Sequence, residues 1–156
     1  AGGIFDGRGL AMALSLGASA VWVGTRFLAS AEADAPQVHK DGVVSAGYHD
    51  TLRTLVFTGR PLRVKTSAYV RDWEENRRKE MLACLASGQL PYEADRKKHE
   101  AMSPEERKQL ATVALLMGKV AGAITSIQPA RVIVDEMVAG AVQVLRSNAT
   151  MLVSKL

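Results

Sequence analysis

The sequence predicts an α/β fold, and three observations lead to this prediction. Residues 1–35 alternate glycine turns, a short helix and a short apolar strand, which is typical of parallel sheets covered by helices. A second group of β-prone apolar residues lies between positions 52 and 70. The last third of the chain carries apolar residues at helical spacing. With 156 residues and 47% hydrophobic residues, the chain has enough apolar material for a sizeable core.

The first region, residues 1–35, reads as loop, helix, strand and loop. Ala1–Phe5 is a glycine-bearing turn, and Asp6 suits the N-cap of a helix over Gly9–Leu16. The run Ala20–Val23 is short, apolar and rich in β-formers, so it predicts a buried strand. A second glycine turn, at Gly24, follows it directly.

The second region, residues 36–109, predicts a small β region followed by a charged helical stretch. Its first residues suit a helix, and a strand pair is expected at Leu55–Phe57 and Leu62–Val70. The pair Glu74/Arg78 has the i,i+4 spacing of an exposed helix. Ser87–His99 reads as a solvated connection, and a capping pattern that begins at Ser103 and Pro104 predicts a further helix start.

The third region, residues 110–156, predicts C-terminal helices and a tail. An apolar stripe runs from Leu110 to Met117, and an amphipathic helix is expected after Pro129. Asn148–Val153 reads as a short flexible tail in front of Ser154-Lys155-Leu156. This tripeptide at a carboxyl terminus is a receptor-read peroxisomal address, so we expect a peroxisomal protein, and otherwise a cytoplasmic one.

Composition excludes several classes of protein and site. A single cysteine excludes a disulfide framework and a multi-cysteine zinc site, and no metal site is expected. The net charge of +4 is mild and diffuse, so we expect no nucleic-acid partner. No apolar run reaches membrane-spanning length, because Lys119 interrupts the longest one, and no membrane partner is expected.

The two glycine turns are the strongest candidates for a ligand site. Glycine lets backbone N–H groups approach an anion closely, and a helix that follows the turn adds donors and a favourable dipole. Two such turns after neighbouring parallel strands would direct donors to one spot, as in the phosphate site of (β/α)₈ barrels. The alternative is that Gly2-Gly3 and Gly24-Thr25 are ordinary βα turns.

Several motifs follow one another along the chain: Ala1-Gly2-Gly3-Ile4, Asp6-Gly7-Arg8-Gly9, Val23-Gly24-Thr25-Arg26-Phe27, Phe57-Thr58-Gly59-Arg60-Pro61, Arg71-Asp72-Trp73-Glu74 and Gly118-Lys119-Val120-Ala121-Gly122. In this order they resemble the C-terminal barrel half of the nitronate monooxygenase family. The resemblance implies the C-terminal part of a TIM (β/α)₈ barrel with an added small β region and C-terminal helices. The chain starts without Met, and we therefore expect it to be part of a larger domain.

The same resemblance implies FMN as cofactor and assigns its phosphate contacts. Gly2 and Gly3 match the family's first turn, and the family's second contact segment matches Trp22, Val23, Gly24 and Thr25. Many members have glutamine at the position of Trp22, and the family's Gly-Gln pair is Gly118-Lys119 here.

The resemblance also implies a small nitronate substrate, oxidised with O₂, and a histidine base on an earlier barrel strand. None of His39, His49 and His99 stands in a matching context, so no catalytic residue is assigned to this chain. Two alternatives stay open. One is a barrel like the FMN-dependent enoyl reductases. The other is a non-catalytic module that binds flavin or packs against a partner, as a homo-oligomer or by swapped pairing.

Overall fold

The computed structural model describes residues 1–99 and 114–153, which form a mixed structure of helices and strands. The predicted helix start at Ser103-Pro104 and the tripeptide Ser154-Lys155-Leu156 lie outside these residues. In chain order, the described elements are α1 (Gly7–Ser15), α2 (Thr25–Leu28), α3 (Gln37–Val44), β1 (Thr51–Thr54), β2 (Leu62–Lys65), α4 (Ala68–Glu75), α5 (Arg78–Ala86), α6 (Pro91–His99), a 3₁₀ helix (Lys119–Ala123) and α7 (Ala130–Val153).

The chain divides into two units. The first contains residues 1–48 and the residues from Gly118 onward, and the second contains His49–Met117. Each unit has its own buried cluster of apolar side chains. The boundaries differ from the three predicted regions, because the chain returns to the first unit after leaving it.

The first unit is built on the packing of α1 against α7. Helix α1 has the predicted N-cap, since the Asp6 carboxylate accepts a hydrogen bond from Gly9 N at 2.9 Å. The helix ends before Gly17, whose φ of +87° suits a glycine stop. The core is the cluster of Ile4, Ile133 and Met137, with Leu10, Ala13, Val21, Val23 and Phe27 packed against it.

The predicted strand at Ala20–Val23 is wrong. Among the described residues, this segment pairs with no neighbouring strand, and Trp22 is 80% exposed. A strand forms only where a neighbour takes its backbone hydrogen bonds, and apolar composition alone does not supply that neighbour. Near this segment the structure has instead a single parallel bridge, between Ser30 and Gln128.

The second unit contains the predicted β region with shifted bounds. Strands β1 and β2 are antiparallel, and Thr51 faces Lys65 while Thr54 faces Leu62. The first predicted strand, Leu55–Phe57, is part of a turn, because Leu55 O accepts a hydrogen bond from Gly59 N at 2.9 Å. Val56 is fully buried with Trp73 and Met81 in the core cluster of this unit. The second strand ends early, because the chain enters α4.

The described part of the charged stretch, up to His99, folds into three helices. Helices α4 and α5 are separated at Asn76 and Arg77, and the predicted pair of Glu74 and Arg78 forms across this break at 3.4 Å. The predicted solvated connection Ser87–His99 is wrong in its second half, where α6 starts at Pro91. Proline suits this first helical position because its missing N–H needs no partner there.

Two predictions for the C-terminal region also need correction. Ala114–Met117 is not helical, because its backbone bonds to β2: Lys65 N donates to Leu115 O at 2.9 Å and Met117 N donates to Arg63 O at 3.1 Å. The expected tail Asn148–Val153 lies within α7, the helix predicted after Pro129. None of the described helices combines the length and apolar character needed to cross a membrane.

Candidate functional site

The first glycine turn has a backbone conformation that only glycine adopts readily. Gly2 and Gly3 have φ values of +87° and +74°, and a Cβ added to either would meet no atom within 4 Å. Both residues are exposed. The turn therefore has open space on the side where a Cβ would stand, and no side chain of its own blocks the approach of a ligand to its backbone.

The N-terminus of α1 contributes less than the sequence suggested. The Asp6 carboxylate already accepts the N–H of Gly9 and pairs with Arg8 at 3.1 Å. A carboxylate at a helix N-terminus competes with a phosphate for the same donors. The donors available to an anion are therefore those of the turn itself rather than those of the capped helix end.

The second glycine turn precedes α2. Gly24 is exposed, with an ordinary φ of −98° and no atom within 4 Å of an added Cβ. The hydroxyl oxygen of Thr25 accepts a hydrogen bond from Gly118 N at 2.9 Å, so its proton is free to be donated to a ligand. Trp22, two residues before Gly24, is 80% exposed.

The structure brings the two turns to one apolar cluster. Ile4 directly follows Gly3, and Val23 directly precedes Gly24; both apolar residues pack in the core of the first unit. An apolar cavity of about 180 Å³ lies beside this cluster, lined by Leu10, Val21, Val23, Phe27, Val134, Met137 and Val138. The common cluster anchors both turns in the same unit.

Arg26 supports the second turn, and sequence reasoning assigned it no role. Arg26 is 6% exposed, and its guanidinium donates to Ser126 O at 2.8 Å and to the Gln128 side chain. Burial lowers the pKa of Arg26, and the Glu136 carboxylate partly offsets this. The sequence does indicate that Arg26 needs hydrogen-bond acceptors, because the segment around it is mostly apolar. It does not show which residues are the acceptors, because they lie about 100 positions away along the chain.

A polar cavity of about 250 Å³ is lined by residues that follow each turn in the sequence, Phe5 and Asp6 after the first and Arg26 after the second. Its lining residues are Phe5, Asp6, Arg26, Ala123, Ile124, Thr125, Ser126, Gln128 and Glu136. Two carboxylates, Asp6 and Glu136, face one guanidinium there, so the cavity disfavours a phosphate dianion. The open side of the glycine turns is the better place for a phosphate. Among the described residues, no cluster of three or more His, Cys, Asp or Glu is arranged to hold a metal ion.

Comparison with known proteins identifies the family. The sequence model of the nitronate monooxygenase family matches residues 1–140. The chain belongs to the nitronate monooxygenase family. Its first predicted region and its Phe57–Pro61 motif thus lie inside the family domain.

The relatives and solved structures agree with this assignment. A Mycobacterium tuberculosis protein whose name assigns it to the monooxygenases is 32% identical over 138 residues, covering 88% of this chain and 37% of the relative. Nitronate monooxygenase npaC of Metarhizium robertsii is 54% identical over 59 residues, covering 36% of this chain and 16% of the relative. FabK of Thermotoga maritima superposes with a TM-score of 0.67 at 29% identity, covering 96% of this chain and 45% of FabK.

A nitroalkane oxidase of Streptomyces ansochromogenes superposes with a TM-score of 0.66 at 26% identity, covering 94% of this chain and 39% of the oxidase. The predicted fold class, a partial α/β barrel, is confirmed by these structural neighbours. The chain spans 37% of the length of the Mycobacterium tuberculosis relative and 45% of the length of FabK. The family is one of oxidoreductases.

The other residues considered in the sequence lie outside the two glycine turns. His39 is half-buried in α3 and His49 is exposed. Lys119 is exposed at the start of the 3₁₀ helix, next to Gly118, whose N–H is taken by Thr25. Cys84 is half-buried in α5.

Proposed function

We propose that this chain supplies the FMN-phosphate end of a flavin-dependent oxidoreductase that oxidises alkyl nitronates with O₂. The observation that carries the proposal is the first turn, where Gly2 and Gly3 both have positive φ and open space beside them. Turns of successive N–H groups form concavities that bind anions. The relative named nitronate monooxygenase supports the substrate class.

The chain's own residues bind and orient the phosphate. The main-chain N–H groups of Gly2 and Gly3 would hold it from one side, and those of the segment Trp22–Thr25 from the other. The Thr25 hydroxyl would donate its proton to the phosphate while its oxygen accepts from Gly118. When bound, FMN supplies the redox chemistry, and the protein positions it.

The presence of tryptophan at position 22 is compatible with this role. Trp22 is 80% exposed, and the proposed contact to the phosphate uses its main chain. If the family's contact uses only the main chain, the change from glutamine is harmless; if it uses the glutamine side chain, this chain lacks one hydrogen bond.

Gly3→Val is expected to weaken FMN binding about 10-fold or more, because the added side chain fills the open space and displaces the turn from its positive φ. The measurement is a titration of the purified chain with FMN, followed by quenching of flavin fluorescence. Gly17→Val is the matched control. Gly17 has a φ of +87° and no atom within 4 Å of an added Cβ, so it carries the same backbone cost away from the turns. Equal FMN affinity of the two variants would contradict the assignment.

An activity like that of the FMN-dependent enoyl reductases is the second candidate, and the similarity to FabK favours it. The two candidates differ in substrate. A protein that contains this chain together with the rest of a barrel would consume O₂ with a nitronate in the first case and reduce an enoyl thioester in the second. If this chain binds flavin but complementation with the rest of a barrel yields neither activity, the non-catalytic module is the better description.

A peroxisomal location accords with oxygen chemistry at a flavin, which can release peroxide. Fusing residues 148–156 to the carboxyl terminus of a fluorescent reporter is expected to direct it to peroxisomes, since Ser154-Lys155-Leu156 would then be read by the import receptor. Deletion of Leu156 should leave the reporter diffuse. A diffuse signal from the intact sequence would refute the proposed address.

A further inference from the structure

The antiparallel strand pair of the second unit brings two arginines face to face. Arg53 of β1 lies directly opposite Arg63 of β2 in the register of the pair. Residues in this relation share one face of the sheet, with Cβ atoms about 5 Å apart, and like charges there repel each other. A bound anion would remove this repulsion.

The surrounding sequence does not neutralise this charge. From Thr51 to Arg71 the chain contains no Asp or Glu. The same segment holds five cationic residues: Arg53, Arg60, Arg63, Lys65 and Arg71. Arg71 pairs with Glu75 at 3.6 Å, and the acidic residues Asp50 and Asp72 flank the segment from outside. Positive charge is therefore concentrated on and next to the strand pair.

Arg53 and Arg63 both keep guanidinium N–H groups that a ligand could bind. One terminal nitrogen of Arg63 donates to Thr51 O at 3.1 Å and to Thr51 Oγ1 at 3.2 Å, which fixes the guanidinium against β1. Arg53 is exposed and has no acidic partner among residues 1–99 and 114–153. A planar guanidinium with free N–H groups binds phosphate oxygens in pairs.

The connecting turn carries a third arginine in a fixed backbone. Thr58 Oγ1 accepts from Arg60 N at 3.3 Å and donates to Arg60 O at 3.1 Å. Gly59 has a φ of +67°, and a Cβ there would lie 3.3 Å from Leu85 and Leu90, so the turn is closely packed. The exposed Arg60 side chain adds charge at the end of the strand pair.

We propose that the Arg53–Arg63 face binds a phosphate-bearing small molecule. This inference goes beyond the flavin site, because the residues belong to the second unit and the glycine turns belong to the first. Strands of four residues are about 13 Å long, which suits one or two phosphate groups rather than the tracking of a nucleic-acid backbone.

The test is a titration of the full chain with inorganic pyrophosphate, followed by amide NMR. Pyrophosphate is expected to shift the amide signals of residues 51–54 and 62–65. Arg53→Gln/Arg63→Gln should weaken this binding about 10-fold or more, since two charge-assisted contacts are lost. The control Arg71→Gln/Arg78→Gln removes the same net charge from the same unit, at residues already in ion pairs, and should keep the affinity.

Three results would overturn the proposal. The first is that the control substitutions weaken pyrophosphate binding as much as the substitutions of Arg53 and Arg63 do. The second is that pyrophosphate shifts only the amide signals of the glycine turns, and the third is that a single-stranded oligonucleotide shifts the amides of the strand pair while pyrophosphate does not. The single variant Arg53→Gln keeps the test valid if the double variant unfolds, because it removes a like-charge contact and should stay folded with weakened binding. Gly3→Val is expected to leave the pyrophosphate shifts at the strand pair intact, which separates this outcome from that of the flavin site.

Discussion

Gly7→Ala is expected to separate helix α1 from α7 and to destabilise the first unit by about 3 kcal/mol or more. An ideal Cβ at Gly7 would lie 2.5 Å from Ala141 N and 2.6 Å from Gly140 Cα. These are backbone atoms of α7, which cannot turn aside as a flexible side chain can. The two helices must therefore move apart, and the cluster around Ile133 opens. Urea unfolding followed by circular dichroism measures the loss.

Gly9→Ala is the matched control in the same helix. Its added Cβ would lie 3.1 Å from the side-chain methyl Cγ2 of Ile4, which can adjust. Alanine also favours helix by up to about 1 kcal/mol over glycine. We therefore expect a small net change for this variant. If Gly7→Ala is tolerated as well as Gly9→Ala, the close crossing of α1 and α7 is not as described.

Asp95→Ala is expected to destabilise the second unit by about 3–5 kcal/mol. The Asp95 carboxylate is 4% exposed and accepts hydrogen bonds from Arg77 at 2.9 and 3.0 Å, from Trp73 Nε1 at 3.0 Å and from Tyr69 at 3.2 Å. Arg77 also stacks on the Trp73 ring, 3.5 Å from its centroid. Removing the carboxylate leaves these donors without their common acceptor. Thermal unfolding monitored by near-UV circular dichroism, which reports on the buried Trp73, gives the loss.

The hydrogen bonds that Asp95 accepts also make the stability of the second unit depend on pH in the acidic range. Burial alone raises the pKa of Asp95, but the hydrogen bonds and charge of Arg77, with the bonds from Tyr69 and Trp73, outweigh it and hold the pKa below the ordinary 3.8. The folded state thus binds this proton less readily than the unfolded chain. Stability from Asp95 is complete above the ordinary value and is lost as the pH falls through the lower folded-state pKa. Asp95→Asn should show less of this acid-dependent loss.

Arg71→Gln, which removes an exposed ion pair, is the control for the loss of the buried Asp95 carboxylate. Arg71 and Glu75 are both about 60% exposed and lie 3.6 Å apart, so their loss should cost less than about 1 kcal/mol. An equal loss in Arg71→Gln and Asp95→Ala would contradict the central role of the buried carboxylate.

Elements with local signals could be predicted from the sequence, and elements that depend on distant partners could not. Helix α1 was predicted because its cap at Asp6 and its stop at Gly17 lie next to it. The strand predicted at Ala20–Val23 does not form, because a strand needs a neighbour and the residues of the segment do not reveal whether one is present. Helix α6 was missed because its sequence is polar, while the buried contacts of Asp95 come from residues on α4 and at Arg77.

The candidate site divides in the same way. The first glycine turn was predictable, because the positive φ at Gly2 and Gly3 favours glycine at these positions, and the two glycines are visible in the sequence. The link between Thr25 and Gly118 joins residues that are 93 positions apart. The buried Arg26 likewise depends on distant residues, since its guanidinium donates to Ser126 and Gln128. Such contacts become visible only when the fold is known.

The central claim, that the glycine turns hold the phosphate of FMN, is tested most directly by comparing FMN with riboflavin, which lacks the phosphate. Equilibrium dialysis of the purified chain should give an affinity for FMN about 10-fold or more above that for riboflavin. Gly3→Val should abolish this difference, and Gly17→Val should preserve it. Equal affinities for FMN and riboflavin in the unchanged chain would contradict the claim.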